Sequence, residues 1–235
     1  MDVVCHSSNE FLASLSPGDF ELLRPHLKSV DLVHKTVLVR AGDVLDRVYF
    51  PTSGIISLVV SLAAGQTTEA AMIGRDSAFG ALAALDGGIA LIDALIQLKG
   101  TASVIQVAQL RKAADASPSL RGSLMRHEQA LLVQALQSAA CNASHTVEAR
   151  LSRWLLRARD LADSDSMAFT QEFLAQMLGV RRSSVSLVAH TLQRAGLIRY
   201  RRGHIEITDL EGLRDSSCEC YGAIKANYEK LLGAQ

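Results

Sequence analysis

The sequence predicts an α+β protein with three parts: an N-terminal antiparallel β-roll or jelly roll, a long helix, and a C-terminal winged helix-turn-helix. Short β-type runs recur roughly every ten residues between positions 36 and 107 and are separated by turns, which predicts the roll. Residues 118–140 show helical composition with no glycine after Gly122. Residues 170–198 have the spacing of two helices joined by a tight turn. We therefore assign residues 1–116 to the roll, 117–145 to a dimerisation helix and hinge, and 146–235 to the winged helix.

Composition indicates a soluble globular protein of about two domains. The chain has 235 residues, 49% of them apolar, with a mean hydropathy of +0.17. No apolar run approaches the ~20 residues that span a bilayer, and the N-terminus lacks the basic and apolar segments of a secretory signal. Four cysteines are too few for a disulfide framework, so we expect reduced thiols and a cytoplasmic location.

Two short helices are predicted over residues 9–27, where Pro17, Gly18 and Pro25 interrupt a helical pattern. Six β-type runs follow, and Lys99-Gly100 predicts a hairpin between the last two. The runs are residues 36–39, 47–50, 55–60, 67–73, 94–98 and 102–107.

The central helix begins at Pro118, which a first helical turn tolerates, and Ser117 precedes it as a cap. About 25 residues at 1.5 Å each span nearly 40 Å, more than one small domain needs. Its leucines and alanines favour pairing with a second copy, although a helix lying on its own roll is the alternative. Residues 141–145 are predicted to form a joint, followed by a helix over 147–161 that buries Trp154, and a terminal helix over 210–232.

The helix-turn-helix prediction depends on a restrictive pattern. Thr170 can cap a first helix, Gly179 supplies the backbone freedom of the turn, and Val185, Val188 and Leu192 form an apolar stripe on a second helix. A helix that presents arginines and hydroxyls at its N-terminal end suits a DNA major groove. An ordinary helical hairpin with a solvated polar face is the alternative. The outward residues are Arg181, Arg182, Ser183, Ser184, Leu187 and His190.

A wing is predicted directly after this helix. Residues 197–207 read as a strand, a basic turn with Arg201, Arg202 and Gly203, and a returning strand. Residues 171–204 contain six arginines and one acid, Glu172, whereas the whole chain has 24 basic and 24 acidic side chains. Because charge is concentrated in one module of a neutral protein, the sequence predicts a duplex DNA-binding face.

The order of these parts resembles the Crp/Fnr family, that of the cyclic-AMP receptor protein and the fumarate-nitrate regulator. The resemblance covers nearly the whole chain and is most specific in the helix-turn-helix. It implies a homodimeric, sequence-specific transcription regulator that binds a pseudo-palindromic DNA site, works with RNA polymerase, has no membrane partner and senses a signal through its roll. The matching motifs are Gly42, Val48-Tyr49-Phe50 and Ser53-Gly54 in the roll, and Leu174-Ala175, Leu178-Gly179-Val180 and Val185 in the helix-turn-helix.

The family's base-reading pattern is matched only in part. Arg182 occupies the place of a base-reading arginine, while Ser183 replaces the family glutamate and Leu187 replaces a second arginine. The resemblance thus implies that Arg182 bonds a guanine edge and that Leu187 touches a thymine methyl. It also implies phosphate contacts from Ser184 and Arg202.

The cyclic-nucleotide site departs further from the family pattern. The turn reads Phe79-Gly80-Ala81-Leu82, so the glutamate that takes the ribose hydroxyl is Ala81. The arginine that holds the phosphate aligns with Asp93, in Asp93-Ala94, and residues 76–98 contain no lysine or arginine. A buried phosphodiester without a cationic partner is disfavoured, so cyclic AMP is not expected to bind in the usual way.

No cofactor or metal is expected. The family's iron–sulfur regulators use clustered N-terminal cysteines, and only Cys5 lies in that region. Cys218 and Cys220 form a weak metal signal without a second pair, and Cys141 reads as a packed or hinge residue. A redox-responsive regulator acting through Cys218 and Cys220, and a roll that serves only as a scaffold, remain alternatives. The histidines show no ligand spacing: His6, His26, His34, His127, His145, His190 and His204.

Two other classes of function are disfavoured. The sequence contains no Gly-x-Ser-x-Gly, phosphate loop, His-Glu-x-x-His or paired carboxylates in an apolar setting, so an enzyme is not expected. A winged helix used as a protein adaptor would favour an acidic recognition face, and the arginines argue against it.

Overall fold

The computed structural model describes residues 7–63 and 65–232. The expectations on Cys5 and His6 lie outside these residues. Two short helices come first, α1 (Glu10–Ala13) and α2 (Pro17–Leu23), and a 3-10 turn (Arg24–His26) follows. Pro17 and Gly18 open α2 instead of interrupting a helix, because Pro17 occupies its first turn and Ser16 caps it by accepting from the Asp19 N–H.

The roll consists of two antiparallel sheets, as the sequence predicts, with orders β1-β7-β3 and β2-β6-β4-β5. Strand β1 was missed, because its residues are mostly exposed and lack an apolar pattern. A short helix, α3 (Ala83–Asp86), lies between β5 and β6. The strands are β1 (Lys28–Leu32), β2 (Val37–Val39), β3 (Arg47–Pro51), β4 (Ile55–Ser61), β5 (Thr67–Ile73), β6 (Asp93–Leu98) and β7 (Gly100–Gln106).

The predicted hairpin at Lys99-Gly100 is wrong. Strand β6 pairs with β2 and β4, whereas β7 pairs with β1 and β3, so the chain crosses between sheets at this point. The crossing packs against the turn between β3 and β4: a Cβ atom on Gly100 would lie 2.4 Å from the Ser53 carbonyl. Gly54 has φ +79°, and a Cβ atom there would lie 2.6 Å from the Leu98 carbonyl oxygen. The two glycines therefore allow the two turns to pack closely together. A local sequence pattern cannot distinguish such a crossing between sheets from a hairpin.

Three helices follow the roll: α4 (Val107–Ala116), α5 (Pro118–Ser144) and α6 (Val147–Ala162). Helix α4 was not predicted, and Val107 begins it instead of ending a strand. Helix α5 has 27 residues and includes Cys141, so the predicted five-residue joint is too long. Only His145, the C-cap, and Thr146, the N-cap of α6, interrupt the helices, because the Thr146 hydroxyl accepts from the Ala149 N–H and starts a new helix.

The C-terminal part has the predicted helix-turn-helix and wing, while the single terminal helix predicted over 210–232 is wrong. Two helices replace it, because the chain turns at residues 216–219, where the Ser217 hydroxyl donates to the Arg214 carbonyl at the end of α9. The elements are β8 (Ser166–Met167), α7 (Gln171–Leu178), α8 (Arg182–Arg194), β9 (Ile198–Arg201), β10 (His204–Ile207), α9 (Leu210–Asp215) and α10 (Cys220–Leu232).

The roll and the winged helix share a hydrophobic core. Trp154 on α6 packs edge-on against Phe169 and belongs to one cluster with Ile55 and Met72 of the roll. The Gln134 side chain links α5 to β5, because its amide oxygen accepts a hydrogen bond from the Met72 N–H at 3.2 Å. No helix among the described residues is both long and apolar enough to cross a membrane.

Candidate nucleic-acid interface

The helix-turn-helix is held by the interactions that its sequence predicts. The Thr170 hydroxyl accepts from the Phe173 N–H at 3.2 Å and caps α7. Gly179 has φ +62°, and a Cβ there would lie 2.8 Å from the Thr68 hydroxyl oxygen of β5, so glycine is required by both conformation and space. Val185 and Leu192 are buried against α6 and α7, which fixes the direction of α8.

The other side of α8 faces solvent. Arg181, Arg182, Ser183, Leu187 and His190 are exposed, and Ser184 is partly buried. The Leu187 side chain is 69% exposed, which excludes a core role for this large apolar residue. The six outward residues predicted on and beside α8 therefore lie together, and with Arg201 and Arg202 of the wing we call them the DNA face.

The N-terminus of α8 lies within this face. Arg181 is its N-cap, and the Arg181 side chain accepts no capping hydrogen bond from the first turn. The first N–H groups of a helix have no partners within the helix and carry partial positive charge, which suits a phosphate. Arg182 faces Glu172 at 3.9 Å, but both side chains are about two-thirds exposed, so the pair restrains the arginine only weakly.

The wing places two further arginines beside α8. Arg202 at φ +50° and Gly203 at φ +79° form the two-residue turn between β9 and β10, and positive φ at both positions is typical of a type I′ turn. Arg199 pairs with Glu206 across the wing at 2.9 Å. Among the residues that the structure describes, no ion pair involves Arg201 or Arg202, and both are exposed. Their charges are thus available to a polyanion.

The residues expected at a nucleotide site are divided between two cores of the roll and its surface. Phe79 and Ala94 belong to the inner core of the roll. Ala81 is buried in another core, with residues of α1 and α4, and Leu82 is exposed. Gly80 has φ +86° and lies against the Arg47 carbonyl.

Asp93 is already bound within the roll. Its carboxylate accepts from the Ala41 N–H at 2.8 Å and from the Ser61 hydroxyl at 3.1 Å. These contacts use both carboxylate oxygens and add no positive charge, so they leave nothing at this position that favours a phosphate.

A buried carboxyl group lies where the roll meets α6. Glu69 on β5 accepts from the Trp154 indole N–H at 2.7 Å and from the Ser57 hydroxyl at 2.6 Å. Burial raises the pKa of Glu69 to about 7, even though these hydrogen bonds and the charges of Arg153 and Arg157 lower it. Arg157 itself pairs with Asp76 of the roll at 2.6 Å.

Four candidate metal ligands meet at the joint between α5 and α6. The donor atoms of Cys141, His145, Cys218 and Cys220 all lie within 4.8 Å of one another. The sequence offers Cys218 and Cys220 no second cysteine pair, and in the structure Cys141 and His145 lie beside them instead. Cys141 and His145 are four residues apart, about one helical turn, and this spacing was the sequence signal for a shared ligand site. Burial raises the pKa of Cys218 to about 12.

Comparison with known proteins agrees with this architecture. Residues 149–216 match the Crp-like helix-turn-helix domain, and residues 30–117 match the cyclic nucleotide-binding domain. The chain resembles FixK2 from Bradyrhizobium japonicum with a TM-score of 0.70 at 17% identity, covering 82% of this chain and 98% of that one. A CRP/FNR-family transcriptional regulator from Thermus thermophilus gives a TM-score of 0.67 at 21% identity, covering 81% and 98%.

The c-di-GMP responsive regulator CLP from Xanthomonas campestris gives a TM-score of 0.65 at 17% identity, covering 81% of this chain and 98% of that one. At these identities the likeness concerns the fold. No curated protein matches the sequence significantly. A roll joined by a long helix to a winged helix with an exposed basic face defines a DNA-binding transcription regulator. The chain belongs to the Crp/Fnr family.

Proposed function

We propose that the protein is a homodimer that places two copies of α8 in successive major grooves, about 34 Å apart, on a pseudo-palindromic site. The observation that supports this most is the DNA face, where an uncapped helix N-terminus, Arg182 and the unpaired arginines of the wing lie on one exposed surface. Its place of action is the cytoplasm, its role is binding and not catalysis, and RNA polymerase is its protein partner.

The exposed side of α5 supports the dimer. Leu120 and Leu124 are buried in the chain's own core, whereas the Leu132 and Leu136 side chains are 59% and 61% exposed. The exposed residues alternate at spacings of four and three, the pattern of a coiled-coil seam. A second copy of α5 would cover this surface. The residues on it are Met125, Gln129, Leu132, Leu136, Ala139 and Ala143.

Within the DNA face, we assign direct base contact to Arg182, as a bidentate donor to guanine. One such pair contributes ~1–3 kcal/mol of discrimination. Ser183 and Leu187 set the preference at neighbouring bases, and Leu187 is exposed enough to meet a thymine methyl. Ser184 and the wing arginines contact phosphates, which positions the helix without reading sequence.

Regulation is proposed to be independent of cyclic AMP. Ala81 is buried in a core away from Ala94, and Asp93 is a carboxylate at the place where the family's nucleotide-binding members hold the phosphate. A different signal would act through the contacts between β5 and α6, where Glu69 meets Trp154. In the scaffold alternative, these contacts only hold the two parts together.

A redox-responsive regulator is the second candidate. The Sγ atoms of Cys141 and Cys218 lie 3.5 Å apart, close enough for a disulfide to form with a small movement. Both thiols are buried, and burial raises the pKa of each, which opposes the thiolate form that reacts. The proximity therefore supports a shared ligand site better than a reactive thiol.

The test is selection of bound sequences from random DNA, followed by gel-shift titration at two salt concentrations, with and without cyclic AMP. We expect the wild type to prefer the selected site in both conditions. Arg182→Ala should lose that preference while keeping weak, salt-sensitive binding, because phosphate contacts remain. Arg24→Ala, which removes an exposed arginine in the 3-10 turn after α2, is the matched control. Unchanged selectivity in Arg182→Ala, or binding that requires cyclic AMP, would contradict the proposal.

A further inference from the structure

The four donors at the joint have the arrangement of a metal coordination shell. Cys141 lies in the last turn of α5 and His145 caps it, while Cys218 lies in the turn before α10 and Cys220 begins that helix. The three cysteines are buried as free thiols. Two segments about 77 residues apart in sequence thus place three sulfurs and one imidazole around a common point.

Two of the donor–donor distances match those around a single tetrahedral ion, and all four donor atoms lie within 4.8 Å of one another. With Zn–S bonds of about 2.3 Å and a Zn–N bond of about 2.0 Å, tetrahedral donors are about 3.5–3.8 Å apart. Here the Cys141 and Cys218 sulfurs are separated by 3.5 Å, and the Cys220 sulfur lies 3.6 Å from His145 Nδ1. An iron–sulfur cluster would distribute its ligands over several irons and hold them farther apart.

The surrounding groups also suit a metal-bound shell. Glu219 Oε1 lies 3.3 Å from His145 Nε2, while the other ring nitrogen, Nδ1, lies beside the Cys220 sulfur. Carboxylates orient metal-binding histidines in this way. The Gln137 amide donates to the Cys220 sulfur at 3.0 Å. Both contacts would fix the ligands and stabilise a thiolate.

A negatively charged coordination shell would also compensate the buried positive charge on α6. Arg150 and Arg153 on α6 are buried, and the Nε–H of each has no hydrogen-bond partner within the described part of the chain. A Zn²⁺ ion with three thiolates carries one net negative charge, which would compensate buried guanidinium groups.

We propose that Cys141, His145, Cys218 and Cys220 bind one Zn²⁺ ion as a closed structural site. The ion ties the start of α10 to the joint between α5 and α6, and so holds the dimerisation helix in a fixed direction relative to the DNA-binding part. Binding releases the thiol protons, since each cysteine coordinates as thiolate. The site is independent of which DNA sequence or effector the protein recognises.

Metal content of the full-length chain is the first test. The protein is expressed with zinc, purified with reductant, passed into metal-free buffer and measured by plasma mass spectrometry. We expect one zinc per chain in the wild type and in Cys5→Ser, because the proposed coordination shell does not use Cys5. Cys220→Ser and His145→Asn should lose nearly all of it. A full zinc complement in these variants would overturn the proposal.

Cobalt binding by the wild type keeps the test independent of variant folding. Co²⁺ should saturate at one equivalent, with the thiolate charge-transfer and d–d bands of a tetrahedral thiolate site. Glu219→Gln, which alters an exposed carboxylate, should weaken zinc affinity by about 10-fold, and Glu211→Gln should not. An octahedral cobalt spectrum would overturn the zinc site, as would iron found together with labile sulfide. A Cys141–Cys218 disulfide would also overturn it if the protein took up no cobalt once that disulfide had been reduced.

Discussion

Replacing Glu69 by Gln tests the buried contact between the roll and α6. Burial raises the pKa of Glu69 from its ordinary 4.5 to about 7. The folded chain therefore keeps a proton that the unfolded chain has lost between these pH values, and stability falls as the pH rises from about 4.5 to about 7. A pKa difference of about 2.5, at 1.36 kcal/mol per pH unit, corresponds to about 3 kcal/mol.

Glutamine reproduces the protonated carboxyl group at this position. Its amide oxygen can accept from the Trp154 indole and its amide can donate to the Ser57 hydroxyl, in place of the bonds that Glu69 makes. We therefore expect Glu69→Gln to unfold at higher denaturant than the wild type at pH 8, with little difference at pH 4.5. Glu211→Gln, an exposed site on α9, should match the wild type at both.

The chain supplies its own reporter, because Trp154 is its single tryptophan and donates directly to Glu69. The fluorescence of the wild type should change with a midpoint near pH 7, and this change should vanish in Glu69→Gln, which retains every histidine. A transition of equal amplitude in the variant would refute the reasoning. So would a flat wild-type titration between about pH 5.5 and 8.5.

Two further predictions concern the dimer and the wing. Leu136→Glu should weaken self-association at least about 100-fold, measured by analytical ultracentrifugation, because each chain loses a leucine worth roughly 1.5–3 kcal/mol and gains a charge in the seam. The control is Val33→Glu, at a site on the roll that is 62% exposed. Equal dimerisation of both variants would contradict the seam. Arg202→Ala should lower the slope of log K against log salt by about 1.8, two phosphate contacts per dimer, on every DNA sequence. An effect confined to the selected site would instead make Arg202 a base reader.

The two halves of the chain are connected at two places: the contacts of Glu69 and Asp76 with α6, and the joint between α5 and α6. The roll touches α6 through Trp154 and Arg157, while α10 returns to α5 beside the cluster of thiols. A signal in the roll would have to change the first set of contacts to re-aim α8, because the Cys–His site would hold the other end. The pH titration and the metal measurement examine these two ends separately.

The sequence by itself determined the winged helix and its chemistry. Thr170, Gly179 and the stripe containing Val185 act over a few residues, so helical periodicity and turn preference were enough to predict the fold and the exposed side of α8. The antiparallel roll was likewise predictable from its alternating strands and turns.

Only the tertiary structure decided the rest, because it depends on contacts between distant residues. The crossing at Gly100 depends on the turn at Ser53, and the Glu69–Trp154 pair joins residues 85 positions apart. The break before α10, which brings Cys218 to Cys141, also has no counterpart in local helix preference. A pattern along the chain records which side chains are available, whereas packing decides which of them meet.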